Sequence, residues 1–164
     1  MLFRSNKSSN FLPLLITVAC NPYCGPCANS HKKLDDLLKR YANKFKVQIR
    51  FLCRPENEKD ALTIAVKSIL QMAENNVDLQ LMLTDWFEWM DIEKWKTKWQ
   101  PDNNIDVTER LQQHGKWITN NNVAHTPTFF INGKKLPGRY NLDDLEILTP
   151  QLTEMMNKEK NVNN

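Results

Sequence analysis

Three of the chain's 4 cysteines fall inside Cys20-Asn21-Pro22-Tyr23-Cys24-Gly25-Pro26-Cys27. Thiols this close can exchange electrons by making and breaking an S–S bond, or they can hold a soft metal. A two-residue gap between cysteines means little by itself. It means more where a strand hands over to a helix, because Cys24 then falls at or beside the N-cap and Cys27 in the first turn. Cys24 would face the unsatisfied donors of the helix start, and Cys27 would be tucked back against the helix. Pro26 is tolerated there, since its missing N–H would have no intrahelical partner. The backbone N–H and the thiol of Cys27 are then the local donors to a Cys24 thiolate. A helix terminus worth about 0.5 to 2 kcal/mol lowers a free thiol by about half a pKa unit to one and a half. Cys24 is therefore expected to be partly thiolate at neutral pH. No Lys, Arg or His lies between the two cysteines, which favours a reducing or mildly oxidising couple. The same stretch also reads as a metal set, zinc or an iron–sulfur cluster on Cys20, Cys24, Cys27 and His31, with Cys27 and His31 one turn apart.

The elements that would hold these sulfurs are legible on either side. Leu14 to Ala19 is a short, β-branched, apolar run, as in a strand covered on both faces. After Asn21-Pro22-Tyr23, the segment Ala28 to Phe45 places Leu34, Leu37, Leu38, Tyr41 and Phe45 at helical spacing. Val47 to Cys53 follows as a second strand ended by Pro55, making a right-handed βαβ unit with parallel strands. From residue 58 to 122 there is no strand signal. That stretch reads as a helical insert with pieces at Ala61–Ala73, Leu79–Met90, Trp95–Trp99 and Val107–Asn120, the last with Val107, Leu111, His114 and Ile118 on one stripe. Thr128-Phe129-Phe130-Ile131 is a strand again, and Asn132-Gly133 signals a hairpin into Lys135-Leu136-Pro137, where Pro137 argues for an edge. Asn141 looks like the N-cap of a final helix, with Asp143 and Asp144 in its first turn.

Composition bounds what this can be. At 164 residues, 41% hydrophobic and 25% charged, the chain suits one globular domain. A net charge of +3 gives little reason to expect a nucleic-acid or anionic-membrane partner. Only 4 Gly argue against an all-β fold with many tight turns, so mostly helix around a small sheet is expected. No apolar run approaches the roughly 18 residues of a membrane span. Arg4 and Lys7 ahead of Phe11 to Cys20 imitate a signal peptide, yet cleavage there would remove Leu14 to Ala19, which reads better as a buried strand. Residues 1–10 then form a polar lead-in, 11–157 one domain containing the insert at 58–122, and 158–164 a frayed tail.

Two separated motifs, Cys24-Gly25-Pro26-Cys27 at a helix start and Thr126-Pro127-Thr128 leading into Phe129-Phe130-Ile131-Asn132-Gly133, resemble the thioredoxin superfamily. The resemblance spans about Leu14 to Met156. It implies an α/β thioredoxin fold with a helical insert between the second strand and the cis-proline strand, an insert that looks like that of the DsbA/DsbG-type oxidoreductases. It further implies that Pro127 is cis and lies against the redox pair, and that the backbone at Thr126 pairs with substrate as an added strand. Cys24 and Cys27 would be the catalytic pair, with Tyr23, Gly25, Pro26, Thr126 and Pro127 touching substrate. The activity implied is thiol–disulfide exchange with protein dithiols and disulfides, by a monomer that needs no cofactor beyond its own sulfurs. The wording Asn-Pro-Tyr-Cys-Gly-Pro-Cys is similar to thioredoxin-like domains fused to bacterial vitamin K epoxide reductase homologues, which implies a membrane protein of that kind as recycling partner. A domain of such a membrane-anchored protein would face the periplasm, and a complete chain would be cytosolic.

There are departures from the family's pattern. Its buried carboxylate, six residues before the nucleophile, is replaced by Val18, and its tryptophan just before the nucleophile by Tyr23. Cys20 and Cys53 are expected as buried free thiols, with a pairing between them left open. His125 could reach the redox centre or be an exposed loop residue. The tryptophans Trp86, Trp89, Trp95, Trp99 and Trp117 all lie in the insert, as core or as a groove beside the cysteines. Lys94, Lys96 and Lys98 read as a solvated face. A metal-binding module on Cys20, Cys24, Cys27 and His31 stays open as the alternative function, as does a redox-inert relative that binds peptides.

Overall fold

The computed structural model describes residues 2–3, 13–41 and 43–162. Its centre is β2, Leu14–Cys20, in which Ile16, Val18 and Ala19 are fully buried. β1 is Leu2–Phe3, a short edge strand inside the segment expected to be only a lead-in. The other expected lead-in residues, apart from these two, lie outside the described residues. β3, Phe45–Phe51, runs parallel to β2 with Cys20 opposite Phe51, and β1 pairs antiparallel on its outer side. β4, Thr128–Ile131, lies antiparallel on the other side of β2, and β5, Lys134–Lys135, closes the edge. The order is β1-β3-β2-β4-β5. Asn132 and Gly133 turn the β4–β5 hairpin with φ of 48° and 82°, the left-handed values that a tight turn demands.

The βαβ unit forms as expected, with its boundaries shifted. α1 is Gly25–Arg40, so it starts before and ends short of the span Ala28 to Phe45. Phe45 keeps helical spacing in the sequence but is taken by the sheet, where it is 1% exposed; Lys44 N–H donates to Tyr41 O at 2.9 Å in the intervening turn. α1 packs Leu34 and Leu38 over Val47 and Ile49. The insert comprises α2 (Ala61–Ala73), α3 (Leu79–Trp89), α4 (Ile92–Lys98) and α5 (Thr108–Asn120). The first three of these start on an aspartate whose carboxylate accepts a first-turn N–H: Asp60 from Thr63, Asp78 from Leu81, Asp91 from Glu93 and Lys94. Met90, at φ 45°, turns the chain sharply between α3 and α4.

The tryptophans divide. Trp86 and Trp95 are fully buried and meet edge to face at 5.6 Å, whereas Trp89 is half-buried under the ammonium of Lys94 at 4.8 Å. Trp99 donates to Asp85 at 2.8 Å, and Lys98 pairs with that carboxylate at 2.6 Å, so Lys98 is not merely solvated. Trp117 of α5 lies edge-on to Phe130 of β4, centroids 5.0 Å apart. Gly115 lets α5 close on the end of the sheet, since a Cβ there would sit 3.0 Å from the Pro55 ring. α6 runs Leu142–Val162, well past the Asn157 where a frayed tail was expected. It carries Pro150 internally, at the cost of one backbone donor. Asn141 accepts the N–H groups of Asp143 and Asp144 at its start.

Candidate active site

The chain leaves the buried end of β2 at Cys20 and turns through Asn21 to Tyr23 before α1 begins. The turn is held from inside and outside. Tyr23 N–H donates to Asn21 Oδ1 at 2.8 Å and Cys24 N–H to Asn21 O at 3.2 Å. From α3, the Trp86 indole donates to Pro22 O at 2.7 Å, and its ring meets Tyr23 edge to face at 5.5 Å. Cys24 is the N-cap of α1, extended at φ −101° and ψ 120°, with Pro26 in the first turn. Cys24 is half-buried and Gly25 and Pro26 are exposed, while Cys27 is fully buried.

On the far side lies the loop before β4. Thr126–Pro127 is a cis peptide bond, and the Cys24 thiol donates to Thr126 O at 3.7 Å. Register carries the loop there: Thr128 opens β4 opposite Ala19, one residue before Cys20, and Thr128 Oγ1 donates to His125 O at 2.6 Å. Cys24, Cys27 and Thr126 are thereby brought together, and Pro127 adjoins them in the chain, from positions about a hundred residues apart in sequence. His125 itself is exposed.

All four cysteines are free thiols. Their acidities depart from the sequence expectation. Cys24, expected to be the lowered thiol, is pushed up, first by burial, although the Cys27 N–H works in the opposite direction. The ionisable sulfur of the pair is Cys27, lowered to about 6. The largest cause is the thiol of Cys20, which donates to it; the Asn21 backbone amide, the Cys24 thiol and the Thr126 hydroxyl add to this against the cost of burial. Cys20, completely enclosed, is correspondingly held well above the ordinary thiol range. The helix-start argument counted donors near Cys24 and missed that more of them converge on the sulfur beneath it. Burial, and then the nearby Asp91 carboxylate, push the Tyr23 hydroxyl above its ordinary range.

The metal set does not assemble. His31 faces Thr84 Oγ1 at 3.4 Å and Asp35 Oδ2 at 3.5 Å, its ring tilted against Phe87, and burial lowers its pKa. Among the described residues no group of three or more His, Cys, Asp or Glu side chains is arranged to hold a metal ion. Cys53 is apart from the cluster as well, donating to Leu111 O at 3.5 Å. Sequence reasoning missed two things here: the contact of Cys20 with Cys27, and the bracing of α1 by Asp35, which accepts from Gln80 at 3.1 Å and Thr84 at 3.1 Å. A cysteine on the last residue of the strand was the available signal for the first.

Fold and site together define a thioredoxin fold whose helical insert lies between β3 and the cis-proline strand. Several solved structures share this plan. Proteus mirabilis ScsC matches at a TM-score of 0.69 and 15% identity, over 90% of this chain and 71% of that one. Bacillus subtilis BdbD matches at 0.68 and 10%, over 93% and 92%. The oxidoreductase DsbA of Xylella fastidiosa matches at 0.66 and 15%, over 89% and 87%. The fold is thus DsbA-like. No protein-family model matches the chain, and no curated protein matches it.

Proposed function

We propose that this chain is a protein thiol–disulfide oxidoreductase working through Cys24 and Cys27. The observation that carries the reading is the half-exposed Cys24 sulfur at the start of α1, with Cys27 buried beneath it and the Thr126 carbonyl at 3.7 Å beside the cis Thr126–Pro127 bond. The names of the structural neighbours, oxidoreductase DsbA among them, support it. Cys24 attacks one sulfur of a substrate disulfide, passing its proton to the Cys27 thiolate that its own thiol contacts. The substrate S–S bond breaks, one substrate sulfur leaves as thiolate, and a mixed disulfide forms on Cys24. With its value lowered to about 6, Cys27 gives up its proton again near pH 7 and attacks Cys24. The second substrate thiol is released and two electrons have passed to the substrate, leaving a Cys24–Cys27 bridge. In the reverse direction the bridge oxidises a substrate dithiol.

Tyr23, Gly25, Pro26, Thr126 and Pro127 form the rim a peptide would touch, with the Thr126 backbone offering strand-like hydrogen bonds. A monomer served by a membrane reductase resembling vitamin K epoxide reductase is the recycling arrangement proposed. Among the described residues no helix is long and apolar enough to cross a membrane. Reduction of insulin by dithiothreitol, with and without the protein, tests the activity. Acceleration by the wild type and none by Cys24→Ser is expected; equal rates for both would overturn the proposal.

A further inference from the structure

We propose that Trp86 is a positioning residue of the redox pair: its indole N–H, donated from α3 to the carbonyl of Pro22, fixes the turn that presents the Cys24 sulfur to Cys27 and to substrate. The inference rests on the exchange reading above and gives the helical insert a part in that reaction. Asn21 to Cys24 form a turn closed on its own residues, with Tyr23 N–H on Asn21 Oδ1 at 2.8 Å and Cys24 N–H on Asn21 O at 3.2 Å. Those bonds shape the turn but leave it free to pivot on the end of β2. Its link to the insert is the Trp86 bond, 2.7 Å long and reaching across 64 positions of sequence. The same ring meets Tyr23 edge to face with centroids 5.5 Å apart, so both residues ahead of Cys24 rest on one indole.

Trp86 is itself immobile. It is 0% exposed, so its N–H has no water to turn to, and a shift of Pro22 would leave a buried donor unpaired. Trp95, fully buried as well, meets it edge to face at 5.6 Å, and the Trp95 indole is tied in turn to Met82 O of α3 at 3.3 Å. Earlier along α3, Gln80 and Thr84 each donate to Asp35 of α1 at 3.1 Å. α3 is thus fastened to the helix that begins at the two sulfurs, and the indole holds the turn in register with both. Two sulfurs kept at a set separation behave as if each were present to the other at high concentration. Without the Trp86 N–H the turn wanders, and that effective concentration falls. A role in packing alone would lower stability and leave the sulfur chemistry unaltered. Donation to Pro22 O, two residues before the attacking sulfur, makes the chemistry depend on this indole.

The experiment is equilibration of the full chain with glutathione. The Cys24–Cys27 bridge and two glutathione thiols give the protein dithiol and one glutathione disulfide, so the equilibrium constant measures the effective concentration of the two sulfurs. Trp86→Phe keeps an aromatic ring and removes the N–H. It should shift that constant about fivefold towards the dithiol, the net worth of one hydrogen bond, and slow closure of the bridge from the glutathione mixed disulfide by a like factor. Trp86→benzothienylalanine, in which a sulfur replaces the N–H of an otherwise equal bicyclic ring, should do the same and serves if the phenylalanine variant does not fold. Trp95→Phe is the control, since it removes a buried indole donor of the same kind that is used inside α3, and it should leave the constant and the closing rate unchanged. An unchanged constant and rate in the Trp86 variants, or an equal shift in Trp95→Phe, overturns this proposal alone. A wild type that forms no Cys24–Cys27 bridge at any glutathione ratio overturns the exchange reading and this one with it.

Discussion

The neighbouring parallel strands β2 and β3 each deliver a cysteine near their C-terminal ends, and the two ends are finished in opposite ways. Past β3, Cys53 is sealed under α5: its thiol donates to Leu111 O at 3.5 Å, and burial, then Glu56 and Asp60, push it up to about 11. Beside it, His114 Nδ1 accepts the last N–H of the strand, from Phe51, at 2.9 Å. Burial holds that imidazole down at about 3, hence neutral. At the end of β2 the chain runs from Cys20 into Cys24 and Cys27, and the sulfur beneath the helix start is pulled down to about 6. Cysteines of comparable burial therefore differ in acidity by what donates to them. Enclosure alone makes a thiol inert; enclosure with donors makes it a nucleophile.

The widest way to separate the two ends is by activity. Cys24→Ser should lower insulin reduction by about 10³-fold or more, while Cys53→Ser should leave the rate within about twofold, because only the first removes the attacking sulfur. The seal over β3 can be broken next. His114→Ala should cost about 2 to 4 kcal/mol in urea unfolding at pH 7, from a cavity plus an orphaned Phe51 N–H. The wild type should show the matching pH effect. His114 is neutral when folded but takes a proton below 6.5 when unfolded, so stability should fall as pH drops through 6.5 and continue falling towards 3. His114→Ala should lose that acid slope. Cys53 itself should alkylate with iodoacetamide at pH 7 about a hundredfold more slowly than an unstructured cysteine, judged by peptide mass mapping, on the difference between about 11 and the usual 9.0. On the β2 side, Trp86→Phe keeps the ring packing but drops the hydrogen bond to Pro22 O, and should cost about 1 kcal/mol by the same unfolding assay. The smallest effect belongs to neither end: Lys33→Ala removes an exposed pair with Asp143 and should shift stability by less than about 0.5 kcal/mol.

Much of this arrangement could be read from residue order. The unbroken apolar run Leu14 to Ala19 had to be a strand covered on both faces, and the cysteines after it had to sit where α1 begins. The Asn132-Gly133 hairpin and the Asn141 cap were equally local signals. Boundaries were less legible where two periodicities compete, as at Phe45, which satisfies a helical stripe and a strand's inward face alike. The pairing of Leu2 and Phe3 with β3 was invisible, for a two-residue edge strand has no pattern of its own. The acidity of the sulfurs was illegible for a different reason. Helix-end arguments use position along the chain, whereas the state of Cys27 depends on which groups converge on it from β2, the turn and the cis-proline loop. Val18 stands where the resemblance would place a carboxylate, so residue order names no proton acceptor for the resolving sulfur.

The insert reaches the sulfurs by two separate grips. α3 holds the turn before Cys24 through Trp86 and Pro22, and holds the middle of α1 through Gln80 and Thr84 on Asp35. The redox turn is splinted at both ends by one helix, so these helices cannot be exchanged between relatives as a detachable cassette without disturbing how far apart the two sulfurs stand.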